Sequence, residues 1–424
     1  MTLHIFNPEH DMAMSHQYVT FPKVASLMYH GLGFLPALWA DEGDIVVVDD
    51  VAYADKAMNR LISSFDSFGL CDSTFPSLDT IAQQKTRFVV DSDVKGLKGM
   101  SCVSPWGWDV MICRRLETMG IDKSLLPSAQ RLEDIRLLAH RDQARRLLEK
   151  LTILPATVGE AYLCTDIAEV DKLIRRYGRI VIKAPWSGSG RGVRFVDTID
   201  NRTLGWTTNI MRHQGAVMVE PYYPHVLDFG MEFLSMPDGS IVYRGLSVFT
   251  ASNGAYNGNI LSTEDFKKSI ITNYISAELL QSVQLIILSE MSVMLHNKYY
   301  GPFGIDMMIV ESDNPACPYL LHPCVEINLR CTMGHVALSL QPSVPHLMTI
   351  DTKHEFMVEI TRYDRLQKPL MMNRQKLKDV ENKNHQSYTI TIKTNFLYEK
   401  TIVAIFNSAC FGISAVSFTG VVSG

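Results

Sequence analysis

The sequence predicts a mixed architecture, with an α/β amino-terminal region built on a doubly wound parallel sheet and α+β lobes behind it. Three observations predict it. The 424 residues exceed the roughly 250 that one hydrophobic core supports, so several lobes are expected. Short apolar runs without alternation, "LHIFNP" at 3–8 and "DIVVVDD" at 44–50, read as strands buried on both faces, with helical stretches around 23–31 and 53–68. Farther on, the apolar runs at 180–196 and 304–329 each flank a glycine- or proline-rich turn, the pattern of antiparallel hairpins.

Taken in order, further strands near "RFVVDS" and "SCVSPWGW" complete a βαβ pattern over residues 1–125. Ligands in such sheets sit beyond the carboxyl ends of the strands. The segments "NPEHD" at 7–11 and "PWGWD" at 105–109 are therefore candidate ligand-facing loops, although turn chemistry and aromatic packing explain either one taken alone. From Leu132 to Leu151 the apolar positions Ile135, Leu138, Ala144, Leu147, Leu148 and Leu151 predict one amphipathic helix. Arg141, Arg145 and Arg146 occupy its other faces, simplest as a solvated surface, with room for one to turn inward. Pro155 ends the helix and opens a new αβ region running to about residue 200.

A net charge of −5 argues against the basic field that nucleic acid or an anionic membrane requires, which leaves small molecules or proteins as partners. Eight cysteines include no CxxC pair, and "MTLHIFNPEHDM" lacks a cationic run followed by an apolar one. Both point to a reducing cytoplasm and free thiols. The uncharged stretch 401–424 is long enough to span a bilayer, but Asn407 and several serines and glycines dilute it, so buried strands are the preferred reading and no membrane is expected.

The stretch "IVIKAPWSGSGRGVRFV" at 180–196 places Lys183 on a strand before a loop in which Gly188, Gly190 and Gly192 alternate with Ser189 and Arg191. Its GxGxG spacing, with no GKS or GKT ending and no helix signal after it, fits neither a Rossmann loop nor a P-loop, and "VRFVD" reads as a return strand. Glycines let successive amides face an anion, and a lysine would add a point charge. A flexible hairpin tip with a surface lysine is an equal reading of this stretch by itself.

In "GPFGIDMMIVESDNPACPYLLHPCVEINLR" at 301–330, two strand-like runs flank a turn-rich centre. Pairing centred on Ala316 would set Asp306 opposite Glu326, with Asn328 on the same face as Glu326. Few hard oxygen ligands suit Mg²⁺ held jointly with a nucleotide's phosphates. An isolated E-x-N is as well explained by a solvent-facing strand.

With "VIKAPWSGSGRGV", "MVEPYYPHVLDFGMEF" at 218–233, "GIDMM" at 304–308 and "EINLR" at 326–330 in this order, the chain resembles the ATP-grasp superfamily over residues 130–340. The resemblance implies a pre-ATP-grasp domain at 1–125, a two-lobed ATP-grasp domain divided into 126–215 and 216–345, and a small carboxyl-terminal accessory lobe at 346–424. It implies that Lys183 contacts the α and β phosphates of ATP and that Ser187–Gly192, with Ser189 and Gly190, folds over them as a lid. Glu220 would open the strand that receives adenine, with the backbone near Tyr222 meeting the base and Asp228 the ribose. Asp306, Glu326 and Asn328 match the Mg²⁺ ligands, and Arg330 matches an arginine near the reacting group. Where many members carry a second nucleotide-binding lysine, this chain offers Arg141.

The reaction so implied is attack of a carboxylate on the γ phosphorus to give an acyl phosphate, then displacement by an amine to give an amide, ADP and phosphate. The substrates are a small carboxylate and an amine, and a homodimer is left open. The alternatives are an ATP-grasp kinase acting on a hydroxyl and a nucleotide-binding sensor or scaffold without turnover. The polar stretch "FTASNGAYNGN" at 249–259 reads equally as a loop over the acceptor or as a surface connection, and His322 and His335 read as packed or hydrogen-bonded as readily as catalytic.

Overall fold

The computed structural model describes residues 1–15, 23–66, 86–188, 192–252, 255–341, 348–353 and 357–362. Four parallel strands open the chain: β1 (Thr2–Ile5), β2 (Ile45–Val47), β3 (Arg87–Val89) and β4 (Cys102–Pro105), in spatial order β3-β2-β1-β4. The parallel sheet agrees with the βαβ pattern. Because β1 and β4 are neighbours, with Ile5 paired to Pro105, the two loops that leave their carboxyl ends meet at one edge.

A second, antiparallel sheet holds β5 (Tyr162–Cys164), β6 (Ile180–Lys183), β7 (Val193–Val196) and β8 (Val217–Pro221), in order β5-β8-β6-β7. The β6–β7 hairpin pairs Lys183 with Val193 and is closed by the Ala184 amide donating to the Gly192 carbonyl at 2.8 Å. The third sheet is antiparallel with seven strands: β9 (His225–Ser235), β10 (Ile241–Ser252), β11 (Ala255–Leu261), β12 (Gly301–Glu311), β13 (Tyr319–Asn328), β14 (Met348–Lys353) and β15 (Met357–Arg362), ordered β13-β12-β9-β10-β11-β14-β15.

Strand alternation divides this large sheet into an apolar and a polar face. Leu227, Phe229, Met231 and Phe233 of β9 and Phe303, Ile305, Met307 and Ile309 of β12 are fully buried, and they share one core with Val283, Ile287 and Met291 of the helix Ala277–Leu295. By length and composition that helix could cross a membrane, yet it lays one face on the sheet and leaves Leu285 and Val293 exposed. The residues between the apolar ones, Asp228, Gly230 and Glu232 on β9 and Gly304 and Asp306 on β12, point to the opposite face.

The structure corrects three expectations. The helix expected over 132–151 is two helices, Ala129–Leu138 and Arg141–Leu151. His140 breaks it, with extended ψ of 133° and Nδ1 accepting from the Asp142 amide at 3.0 Å, so it caps the second helix. The stretch 249–259 is not a loop: β10 and β11 pair through it, Phe249 facing Asn259. The expected boundary at 345 does not end the large sheet, because β14 pairs with β11 and β15 with β14. The basic stretch 362–378 lies outside the described residues from 363 on, and so does all of 401–424.

Candidate functional site

Asp306 pairs with Glu326 across β12 and β13, and Gly304 with Asn328, the register that centring on Ala316 predicts. Just beyond the site a bulge between Asp306 and Met308 shifts the pairing, so that Met308 faces His322. The amide of Asn328 donates to Asp306 at 3.0 Å. Burial, with the charges of Glu326 and then Glu232, pushes the Asp306 carboxyl from 3.8 up to about 8. Two carboxyls set face to face, one of them buried, form an acidic pair that a cation would stabilise.

These residues fit a magnesium site completed by other ligands. Two carboxylates and an amide oxygen are hard donors, and among the described residues no group of three His, Cys, Asp or Glu could hold a metal unaided. Phosphate oxygens or waters would have to supply the remainder, which is the usual state of Mg²⁺ beside a nucleotide.

Cationic groups approach the same carboxylates. Arg141, buried at the start of its helix, reaches Glu326 at 2.8 Å and donates to the carbonyls of Ala184 and Ser187 at 3.0 Å each. It therefore ties the strand of Lys183 to the acidic hairpin, and it is the inward-turned arginine of the cluster. Its neighbours Arg145 and Arg146 pair instead with Asp142 of the same helix. Arg330 donates through Nη2 to Asn328 Oδ1 at 3.0 Å and grips Asp11 of the first helix with Nε and Nη2, each at 2.9 Å. Burial works to raise the Asp11 carboxyl, but Arg330 outweighs it and holds the group below the ordinary range.

Lys183 is not free to meet a phosphate in this structure: its Nζ lies 2.6 Å from Glu220 Oε2, both side chains being buried. Burial, with the charges of Glu220, Asp306 and Glu326, pushes the Cys324 thiol up, against the charge of Lys183. Ser187, Glu326 and Asn328 line one cavity with His10, Asp11, Met14 and Trp186, whereas Lys183 and Asp306 do not line it. Gly188 is packed so closely that a Cβ there would lie 2.0 Å from Asp11 Oδ2, and at Gly192 a Cβ would lie 2.1 Å from Ser187 Oγ. Ser189 and Gly190 fall outside the described residues.

Two further candidate residues already have partners. The Tyr222 amide already donates to the Arg179 carbonyl at 3.0 Å and its ring stacks on the Arg179 guanidinium, so that amide is not available to a base. Asp228 shares the polar face but is engaged with His225 at 2.9 Å. His335 is structural: it completes a capping box with Thr332 and lies 3.1 Å from Glu232.

One residue that motif spacing did not single out joins the site. Glu232, two positions beyond the Gly230 that pairs with Asp306, is fully enclosed and accepts from the hydroxyls of Ser247 and Thr332 at 2.8 Å. Burial opposes its charge, but His335 and those hydroxyls outweigh burial and hold it low. The period-2 run Asp228, Gly230, Glu232 was the signal for it. His322 is buried with neither ring nitrogen hydrogen-bonded, and burial pushes its pKa down to about 4.

No family model matches the chain. Among curated proteins it is similar to a [butirosin acyl-carrier protein]–L-glutamate ligase of Niallia circulans, 24% identical over 213 residues. That match covers 48% of this chain and 46% of the ligase, so the chain spans about half the length of that relative. Among solved structures it is similar to the biotin carboxylase domain of Hydrogenobacter thermophilus 2-oxoglutarate carboxylase, a dimer with MgADP, at 13% identity and TM-score 0.41, covering 67% of this chain and 66% of the other. It is also similar to Staphylococcus aureus N5-carboxyaminoimidazole synthetase complexed with ADP (12%, TM-score 0.41, 92% and 91%) and to Vibrio cholerae D-alanyl-alanine synthetase A (18%, TM-score 0.33, 54% and 66%). These are ATP-grasp enzymes, the group that the sequence motifs resemble; at such scores none of them assigns a residue here.

Proposed function

We propose that the chain is an ATP- and Mg²⁺-dependent carboxylate–amine ligase of the ATP-grasp superfamily, acting through an acyl phosphate. The observation that carries the reading is the pair Asp306 and Glu326, opposed across one hairpin beside Asn328, with Arg141 joining it to the strand and loop of Lys183. Magnesium held by Asp306, Glu326 and Asn328 would neutralise the triphosphate. Lys183 would exchange Glu220 for phosphate oxygens, and the amides of the loop 187–192 would close over them. Arg141 would pass from Glu326 to the phosphates, bidentately, once metal takes the carboxylate. Arg330, held in orientation by Asp11, would hold the reacting carboxylate or the transferred phosphoryl group. Glu220, Tyr222 and Asp228 would border the nucleoside. A cytoplasmic setting completes the reading.

The test is ADP release over a panel of acids and amines, with L-glutamate first among the acids because the curated relative is named for it. Hydroxylamine is added as a trap: an acyl phosphate yields a hydroxamate, and a phosphate ester made by a kinase does not. Lys183→Ala and Glu326→Gln are expected to abolish release. Undiminished release in both variants overturns the assignment.

A further inference from the structure

The edge of the parallel sheet contributes a pair of groups that the reading above does not use. Asn7 and His10 follow β1, and Gly107 and Asp109 follow the adjacent β4. The Asn7 side chain ties the loops together, donating to the Gly107 carbonyl at 2.8 Å and to Asp109 Oδ2 at 3.0 Å. Asp109 caps the helix Val110–Thr118, its Oδ1 accepting from the amides of Met111 and Ile112 at 2.7 and 2.9 Å. Its Oδ2 also lies 3.3 Å from His10 Nδ1, with both side chains 2% exposed. Several donors thus fix this carboxylate, and it in turn fixes the imidazole.

Gly107 makes the arrangement sterically possible, since a Cβ there would lie 2.6 Å from His10 Nδ1. With Nδ1–H directed at Asp109, the neutral ring carries its lone pair on Nε2. His10 lines the same cavity as Ser187, Glu326 and Asn328. A base oriented by a buried carboxylate therefore faces the place where, on the reading proposed above, the acyl phosphate forms.

We propose that His10, oriented by Asp109, is the general base for the second half-reaction and takes the proton of the attacking amine. His10 Nε2 takes the proton of the incoming ammonium, and the freed nitrogen forms its bond to the acyl carbon while its second surplus proton passes to the departing phosphate. The bond from carbon to the bridging oxygen breaks, and its electron pair leaves with phosphate. The imidazolium, paired with Asp109, then yields the proton to phosphate or water. Among the described residues, the charged groups near the ring include Glu9 and Asp11 on its own segment, which both feel its charge, and Glu326, which lines the same cavity. In this role the amino-terminal sheet contributes chemistry to the second step as well as a binding wall.

The proposal rests on the ligase reading, and the experiment separates the two. Hydroxylamine is already largely neutral at pH 7, whereas an ordinary amine arrives as its ammonium ion and must lose a proton before its nitrogen can attack. With an acid–amine pair found in the panel, His10→Gln is expected to keep hydroxamate formation within about threefold and to lose amide formation by about 10²–10⁴-fold, the range of general-base catalysis. Asp109→Asn retains a side-chain cap but reverses the ring tautomer, and the same selective loss is expected. Equal loss of hydroxamate and amide means a structural dyad and overturns the proposal, as does amide formation within threefold of wild type. Absence of hydroxamate and amide from the wild-type protein refutes the ligase reading itself, and the proposal falls with it.

Discussion

Replacing Asp306 by Asn tests the electrostatics of the acidic hairpin directly. In the folded protein the Asp306 carboxyl titrates at about 8, against 3.8 ordinarily, through burial and the neighbouring Glu326 and Glu232. A carboxyl raised on folding holds a proton that the unfolded chain releases. The stability it contributes is therefore whole below about pH 4 and is lost as pH rises through about 8. Four pH units at ~1.4 kcal/mol each set a ceiling of ~6 kcal/mol, part of which is shared with the two other carboxyls. Asparagine keeps the shape and can still accept from Asn328 but has no proton to lose. Urea unfolding without divalent ions at pH 4.5, 7 and 9 should therefore show wild type and Asp306→Asn close at the lowest pH, with the variant ahead by about 3–6 kcal/mol at the highest. Adding Mg²⁺ and ADP at pH 8 should raise the wild-type midpoint and leave the variant unmoved. A difference between the two proteins that does not change with pH would refute the reasoning.

Other outcomes follow from the same geometry. Lys183→Met leaves Glu220 buried without its partner and should cost about 3–5 kcal/mol in urea unfolding. The double variant with Glu220→Gln should recover most of that stability while nucleotide binding, followed by calorimetry, stays lost. Gly188→Ala drives a methyl group against Asp11, so KM for ATP should rise and kcat fall at least about tenfold, the cost of ~1.4 kcal/mol of misplaced loop. Gly205→Ala, in a helix with open space around it, serves as the control and should change stability by no more than about 1 kcal/mol and activity not at all.

Much of this site was legible because strand pairing obeys arithmetic. The period of two and a turn centred on Ala316 were enough to set Asp306 against Glu326 and Asn328 beside it, and glycine spacing was enough to read the β6–β7 hairpin. Local rules of this kind act over a few residues, and the chain carries them wherever it goes. They failed where a cap competed with periodicity, at His140, which divides what the apolar spacing reads as one helix. They failed again at 249–259, where a polar composition conceals strands paired on both sides.

What the sequence by itself determined is the set of chemical parts: a lysine before a glycine loop, a hairpin with two acids and an amide, and a parallel sheet with polar loops at its carboxyl edge. Only the tertiary structure decided their partners. Nothing local in the sequence sets Asp11 against Arg330, 319 residues away, or His10 against Asp109, 99 residues away, or turns Arg141 alone of its cluster toward Glu326. The physical reason is that buried charges must be matched wherever separate sheets close on one another, and that matching belongs to the packed whole rather than to any segment.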